Sequence, residues 1–284
     1  RWFRGWMARY KARQLDPRLA RIEDPDFDYS ILVALSGRRA GKTTISVILS
    51  WALAVDLPMV GASETLVWLV SVANTERDEL DREVKDWIPS DWYSYREWPK
   101  HEYTLPHGSK ITNVSADDPE TLKRGRGDLI VLNELAKMDQ AALNNAVGAV
   151  SDRGGLVLGT TNPPRRQRGA YVKKIHDRFE EARAQHETYP IKVVKLNHTL
   201  NTSIDQRART RVGRALAELD PKLAAADDAG LVLSIDDLIF YAYDHLRHGL
   251  SSPPDDLPDI TEAITKAIYG RAFPWIASVD FQDQ

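Results

Sequence analysis

Ser36-Gly37-Arg38-Arg39-Ala40-Gly41-Lys42-Thr43-Thr44 decides how this chain is read, because of what flanks it. Before it runs Ile31-Leu32-Val33-Ala34-Leu35, an apolar segment of strand length. After it comes a second apolar run, Ile45 to Val55, suited to a helix. Strand, glycine loop and helix in that order are the context of a phosphate-binding P-loop. There the backbone N–H groups of the loop and of the first helical turn converge on an anion. The pattern assigns Lys42 to the β- and γ-phosphates of a nucleotide and the Thr43 hydroxyl to Mg²⁺. Ser36 stands where the motif usually has its first glycine, with Gly37 one place later, so this loop is a variant.

Downstream, Thr65 to Val72 is apolar almost throughout, as strands buried on both faces of a parallel sheet are. Asn74 to Trp87 has helical spacing with dense charge, and Asn74 or Thr75 suits its cap. Residues 88–107 carry Trp92, Tyr93, Tyr95, Trp98 and Tyr103 among prolines, either a surface for stacking bases or packing within core and loops. His107-Gly108-Ser109-Lys110 reads as a turn into Ile111 to Ser115, a short alternating strand. Leu122-Lys123-Arg124-Gly125-Arg126-Gly127 is a basic loop spaced by glycines, either simply solvated or bringing an arginine to phosphate.

Asp128-Leu129-Ile130-Val131-Leu132-Asn133-Glu134 is the second chemical motif, an apolar strand with an acidic tip in the Walker B pattern. Such a strand delivers one side chain to the Mg²⁺ shell and its tip to the attacking water. Glu134 is therefore the candidate base. Asn133 occupies the magnesium position, where Asp is usual; its amide oxygen accepts a hydrogen bond from a metal-bound water but brings no charge. Asp139 to Val150 reads as a helix, and Gly155 to Pro164 as another buried strand with polar residues at its C-terminal end. Ligands of open α/β sheets sit at such ends, so Thr160, Thr161 and Asn162 are expected to face the γ-phosphate. Arg165, Arg166 and Arg168 follow, either solvated or touching DNA or a neighbouring subunit.

Ile191 to Leu196 is one more strand. Beyond it the pattern turns helical, from Ser203 to Leu219 and from Ser234 to Arg247, followed by the linker-like Ser251 to Asp256 and a closing strand, Trp275 to Asp280. At the other end, Arg1-Trp2-Phe3-Arg4-Gly5-Trp6 and Arg9-Tyr10-Lys11 mix aromatics with cations. They suit either a nucleic-acid contact or an amphipathic helix burying its Trp residues, and Gln14 and Tyr29 are candidate adenine contacts. The expected fold is α/β: a mainly parallel sheet flanked by helices, of P-loop NTPase (RecA/ASCE-like) type, followed by a small helical linker subdomain. The domains expected are 1–198, 199–272 and a third beginning at 273. Both ends suggest a piece of a longer protein.

Over 284 residues the net charge is −3, so any DNA contact must come from local clusters. With no cysteine, a disulfide framework and cysteine-ligated zinc are both excluded. No apolar run approaches the ~20 residues of a membrane-spanning helix.

In their order these motifs resemble the large terminase subunit of tailed bacteriophages. An arginine-bearing Walker A (Gly37 to Thr43) is followed by a Leu-Lys-Arg-Gly segment (Leu122 to Gly125) leading into a Walker B that ends Asn133-Glu134. Gly159-Thr160-Thr161-Asn162-Pro163 is similar to the family's coupling motif, and Asp280 resembles the first metal-binding Asp of its RNase H-like nuclease domain. The resemblance implies an ATPase motor subunit that uses ATP and Mg²⁺ to translocate double-stranded DNA into a procapsid. Its implied partners are the portal protein, the procapsid and the small terminase subunit. It implies a homo-oligomeric ring when assembled, with a monomer allowed in isolation, in the host cell cytoplasm at the portal vertex and absent from the mature virion. Carried over, Arg38 senses phosphate within the subunit, Arg124 is supplied to a neighbour's site, and Thr160 to Asn162 relay the γ-phosphate state. Residues 273–284 then begin a nuclease domain whose body is missing, so this stretch alone is not expected to cut DNA. The competing readings are a helicase-like or DNA-repair P-loop ATPase and a weakly hydrolysing, nucleotide-gated assembly module.

Overall fold

Apolar strands buried on both faces form the centre of the described part of the chain. The computed structural model describes residues 2–15, 29–37, 40–59, 64–97, 100–123, 125–164 and 169–196, with 214 and 218. Contacts divide the chain into Arg1–Leu238 and Ile239–Gln284, and every described residue lies in the first unit. Apart from 214 and 218, the helical subdomain expected over 199–272 lies outside the described residues, as do the strand ending at Asp280 and Arg38, Arg39, Arg124, Arg165, Arg166, Arg168 and Trp98.

In chain order the elements are α1 (Trp2–Leu15), β1 (Ile31–Ser36), α2 (Lys42–Met59), β2 (Leu66–Ser71), α3 (Asn74–Trp87), β3 (Ser94–Arg96), β4 (His101–Thr104) and β5 (Lys110–Ser115). Then follow α4 (Glu120–Lys123), β6 (Leu129–Asn133), α5 (Gln140–Ser151), β7 (Leu156–Thr161), α6 (Ala170–Ala184) and β8 (Ile191–Leu196). One sheet takes all of these strands, in the order β3-β4-β5-β2-β6-β7-β1-β8. From β5 to β8 every neighbouring pair is parallel, and β3 and β4 add an antiparallel edge. This is the α/β arrangement of a P-loop NTPase.

Two apolar cores sandwich the sheet. Phe3, Trp6 and Tyr10 of α1 join Val47 and Trp51 of α2 and Leu80 and Val84 of α3 in one. Ala142, Leu143 and Ala146 of α5 join Tyr171 and Val172 of α6 in the other. The aromatic opening of the chain is thus core packing at Phe3, Trp6 and Tyr10, with Trp6 and Tyr10 stacked at 5.0 Å between centroids.

The topology positions the site. β7 lies between β1, which leads into the glycine loop, and β6, which carries the acidic tip. Leu35 is level with Thr161, and Asn133 with Thr160. The C-terminal ends of all three strands therefore finish side by side, where an open α/β sheet binds its ligand.

Several local expectations change. Ala73, not Asn74 or Thr75, caps α3, with no side-chain hydrogen bond, because both polar residues already lie inside the first turn. β5 does not alternate; Ile111 to Val114 are all buried, since β5 pairs on both sides and is covered on both faces. In the aromatic stretch Tyr93, Tyr95 and Tyr103 pack around one another and Trp51, while Trp92 is exposed.

At the opposite end of β6 from the site, buried Asp128 ties three segments together. It accepts from the Leu66 N–H at 2.8 Å, from Arg153 Nε at 2.7 Å and from the Tyr10 hydroxyl. Burial first, and then the Asp128 charge, push the Tyr10 phenol far above its usual pKa, which keeps it a donor. Asp128→Asn should cost about 1–3 kcal/mol of stability by weakening charged hydrogen bonds in a buried place. A denaturant melt would register this, and an unchanged midpoint would mean that the cluster is not holding α1.

Candidate nucleotide-binding site

The loop after β1 turns into α2 at Gly41, whose φ of 79° is readily available only to glycine. The Gly41 carbonyl accepts the Ile45 N–H at 2.9 Å, so α2 starts immediately beyond it and its first N–H groups face the loop. Lys42 is the first residue of α2, and only 7% of it is exposed. Its ammonium donates to the Gly37 carbonyl at 3.2 Å and to Asn162 Oδ1 at 2.8 Å, and lies 4.0 Å from Glu134 Oε1.

Asn162 stands just past β7 and links the other two. Its oxygen accepts a hydrogen bond from the Lys42 ammonium, while its NH₂ group donates to Glu134 Oε2 at 3.3 Å and Oε1 at 3.5 Å. Glu134 leaves β6 in a left-handed conformation, φ 62° and ψ 47°, which is uncommon for a residue with a side chain. That turn points the chain into the short 3-10 segment Leu135–Lys137 and leaves the Glu134 carboxylate in the cleft. Backbone strain of this kind collects at functional sites, where surrounding contacts hold it in place.

The cleft has a volume of ≈ 270 Å³ and is lined by Ala40, Gly41, Lys42, Thr43, Thr44, Glu83, Glu134 and Asn162. Sequence motifs 120 residues apart thus meet in one place. Of the three β7-end residues only Asn162 lines it. Thr160 donates to Asn133 Oδ1 at 3.1 Å; Thr161 donates to the Asn162 carbonyl at 2.9 Å and accepts from the Ala136 N–H at 3.1 Å. Both threonines lock the strand tips beneath the cleft. Asn133 is buried, with its amide oxygen engaged by Thr160. Ser36 is buried and donates to the Gly37 carbonyl at 3.2 Å.

Sequence reasoning missed Glu83. It comes from α3, and its Oε2 accepts from the Thr44 hydroxyl at 3.0 Å, 39 residues away. No local spacing announces that contact, which depends on how α3 docks against α2. Tyr29 moves the other way. It precedes β1 at the end remote from the loop and lines separate cavities near Phe179 and near Trp6, not this cleft.

The donors fit a nucleotide and its cation. Lys42 and the α2 N-terminus suit phosphate, while Thr43, Glu83 and Glu134 offer only oxygen ligands, the preference of Mg²⁺. Among the described residues no group of three or more His, Cys, Asp or Glu could hold a metal unaided. A cation here would therefore rely on phosphate oxygens and water for its remaining ligands, as Mg²⁺ sites commonly do.

No protein-family model and no curated protein matches the chain. Among solved structures, the large terminase from a thermophilic bacteriophage, in complex with ADP, matches at TM-score 0.51 with 15% identity, covering 72% of this chain and 49% of that one. A crystal form of the same phage enzyme described without ADP matches at 0.51 and 16%, covering 74% and 50%. The HK97 bacteriophage large terminase gives 0.49 and 14%, covering 77% and 43%. The chain spans about half the length of the thermophilic phage protein, and the likeness establishes a shared fold.

Proposed function

We propose that this chain is the ATPase motor part of a large terminase, coupling ATP hydrolysis to movement of double-stranded DNA into a procapsid. The observation that carries the reading is the Lys42–Asn162–Glu134 chain inside the cleft. It joins a phosphate-binding cation, a polar relay and a base in the order that the P-loop, β7 and β6 provide. The fold likeness to the thermophilic phage terminase, a protein solved with ADP, supports it.

On this reading Lys42 and the α2 N–H groups bind the β- and γ-phosphates. Thr43, with Asn133 through a water, would hold Mg²⁺, which when bound neutralises phosphate charge. Glu134 takes the proton of the attacking water. Asn162 contacts both Lys42 and Glu134, so a change at the γ-phosphate reaches β7 through it. Arg38 would sense phosphate within the subunit. Arg124 would act on a neighbouring subunit in a ring, at the portal vertex in the host cytoplasm, with the portal, procapsid and small terminase subunit as partners. Asp280 would belong to the nuclease metal site of a longer protein.

Subunit mixing tests the ring. Arg124→Ala should bind nucleotide normally yet lose assembly-stimulated turnover, because an arginine supplied to the site is worth ~10³–10⁵ in comparable nucleotide switches. Adding Glu134→Ala subunits should restore part of it, since they still donate Arg124 to partners that keep their own base. No restoration between assembled variants would assign the trans role elsewhere. Strand separation on a forked duplex would instead favour a helicase.

Asn133 favours a second reading, a weakly hydrolysing, nucleotide-gated assembly module, because the usual metal-shell charge is missing there. If the motor reading holds, Asn133→Asp should preserve or raise hydrolysis, since a carboxylate still accepts from Thr160 and holds the metal shell more strongly. A loss beyond about tenfold, or ~1.4 kcal/mol on the barrier, would mean that the neutral amide is itself required.

A further inference from the structure

The cleft holds two carboxylates, Glu83 and Glu134, and among its described lining residues Lys42 is the one cation. Lys42 already serves Gly37 and Asn162. Before any ligand arrives, the described part of the lining is therefore net negative where several phosphate charges must enter. In a partly buried site that repulsion is poorly screened.

Glu83 is held in place from two sides. The Thr44 hydroxyl donates to it at 3.0 Å, on the first turn of α2. Two residues earlier, buried Asp81 pins α3 to the sheet edge. It accepts from Tyr103 at 2.8 Å and Asn113 at 2.9 Å, and contacts His101. α3 cannot roll to carry Glu83 out of the cleft without breaking that buried cluster. A carboxylate fixed beside the phosphate loop opposes the nucleotide unless a cation meets it. The strand-tip position that usually supplies this charge is neutral Asn133, turned to Thr160.

We infer that Glu83 makes nucleotide binding in this cleft depend on a divalent cation, supplying the negative charge that Asn133 lacks. The inference rests on the nucleotide-binding reading of the cleft. Without the cation Glu83 repels the polyphosphate; with it the carboxylate is an oxygen ligand for the metal shell, direct or through water. Cation and nucleotide then promote each other's binding by the same factor, as linkage requires.

The experiment is a binding titration of a fluorescent ATP analogue, with excess Mg²⁺ and again with EDTA, on wild type, Glu83→Gln, Thr44→Val and Glu134→Gln. Wild type should bind at least about tenfold more weakly in EDTA, within the usual range of coupling between two ligands. Glu83→Gln should narrow that gap to about threefold or less, mainly by tighter binding in EDTA. Thr44→Val keeps the side-chain shape but frees the carboxylate, and should narrow the gap partway. An unchanged gap in Glu83→Gln overturns the inference. So does equal weakening in both conditions, which marks a purely structural residue, or narrowing in Glu134→Gln alone. Wild type that binds no nucleotide in either condition defeats the underlying reading of the cleft, and the inference with it.

Discussion

Glu134→Gln will lower ATP turnover by ~10²–10⁴-fold, the range for losing a positioned general base, while nucleotide affinity stays within about threefold. Glutamine keeps an oxygen for the Asn162 NH₂ group, so the chain from Lys42 through Asn162 survives and only proton acceptance is lost. The left-handed backbone at Glu134 is unaffected in kind, since both side chains are alike unbranched at Cβ. Single-turnover hydrolysis beside equilibrium binding separates the two effects. Turnover within about threefold of wild type would move the base to another residue, with Glu83 the other carboxylate of the cleft.

Lys42→Ala will weaken nucleotide binding by at least about a hundredfold, which is ~2.8 kcal/mol, and remove measurable hydrolysis. The ammonium is buried and reaches both the loop, through Gly37, and the base, through Asn162. Its removal takes away the phosphate cation and also leaves Asn162 Oδ1 without that donor. The glutamate beside it then faces the nucleotide uncompensated, which adds repulsion. A thermal melt should show a folded protein, because the apolar cores on either face of the sheet do not include this side chain. Undiminished hydrolysis would dismiss the P-loop assignment.

Much of the fold is legible in the sequence because its strands declare themselves. β1, β2, β6 and β7 are short apolar runs between polar turns, and the parallel sheet follows from their lack of alternation. α5 is legible for a local reason as well; Asp139 caps it, accepting the Ala141 N–H at 2.8 Å. α6 escapes a sequence reading although Tyr171, Ile175 and Phe179 recur every four residues, because the basic run before it is read for charge instead of spacing. The β3–β4 hairpin escapes because its strands are very short and its tyrosines resemble loop aromatics.

The site divides along the same line. Lys42 and Glu134 belong to motifs whose chemistry is local in sequence, and the structure brings them within 4.0 Å. That Asn162 enters the cleft while Thr160 and Thr161 do not depends on which way the end of β7 turns, a matter of packing against Asn133 and Ala136. Glu83 depends on helix docking and has no motif at all.

Whether this chain is a DNA-driven packaging motor is decided by its steady-state ATP hydrolysis, measured alone, with double-stranded DNA, and with DNA plus portal-bearing procapsids. A motor subunit turns over slowly in isolation and shows a clear rise when DNA and procapsids are both present, abolished by Glu134→Gln. Hydrolysis that ignores DNA and procapsids, or persists unchanged in Glu134→Gln, would contradict that role.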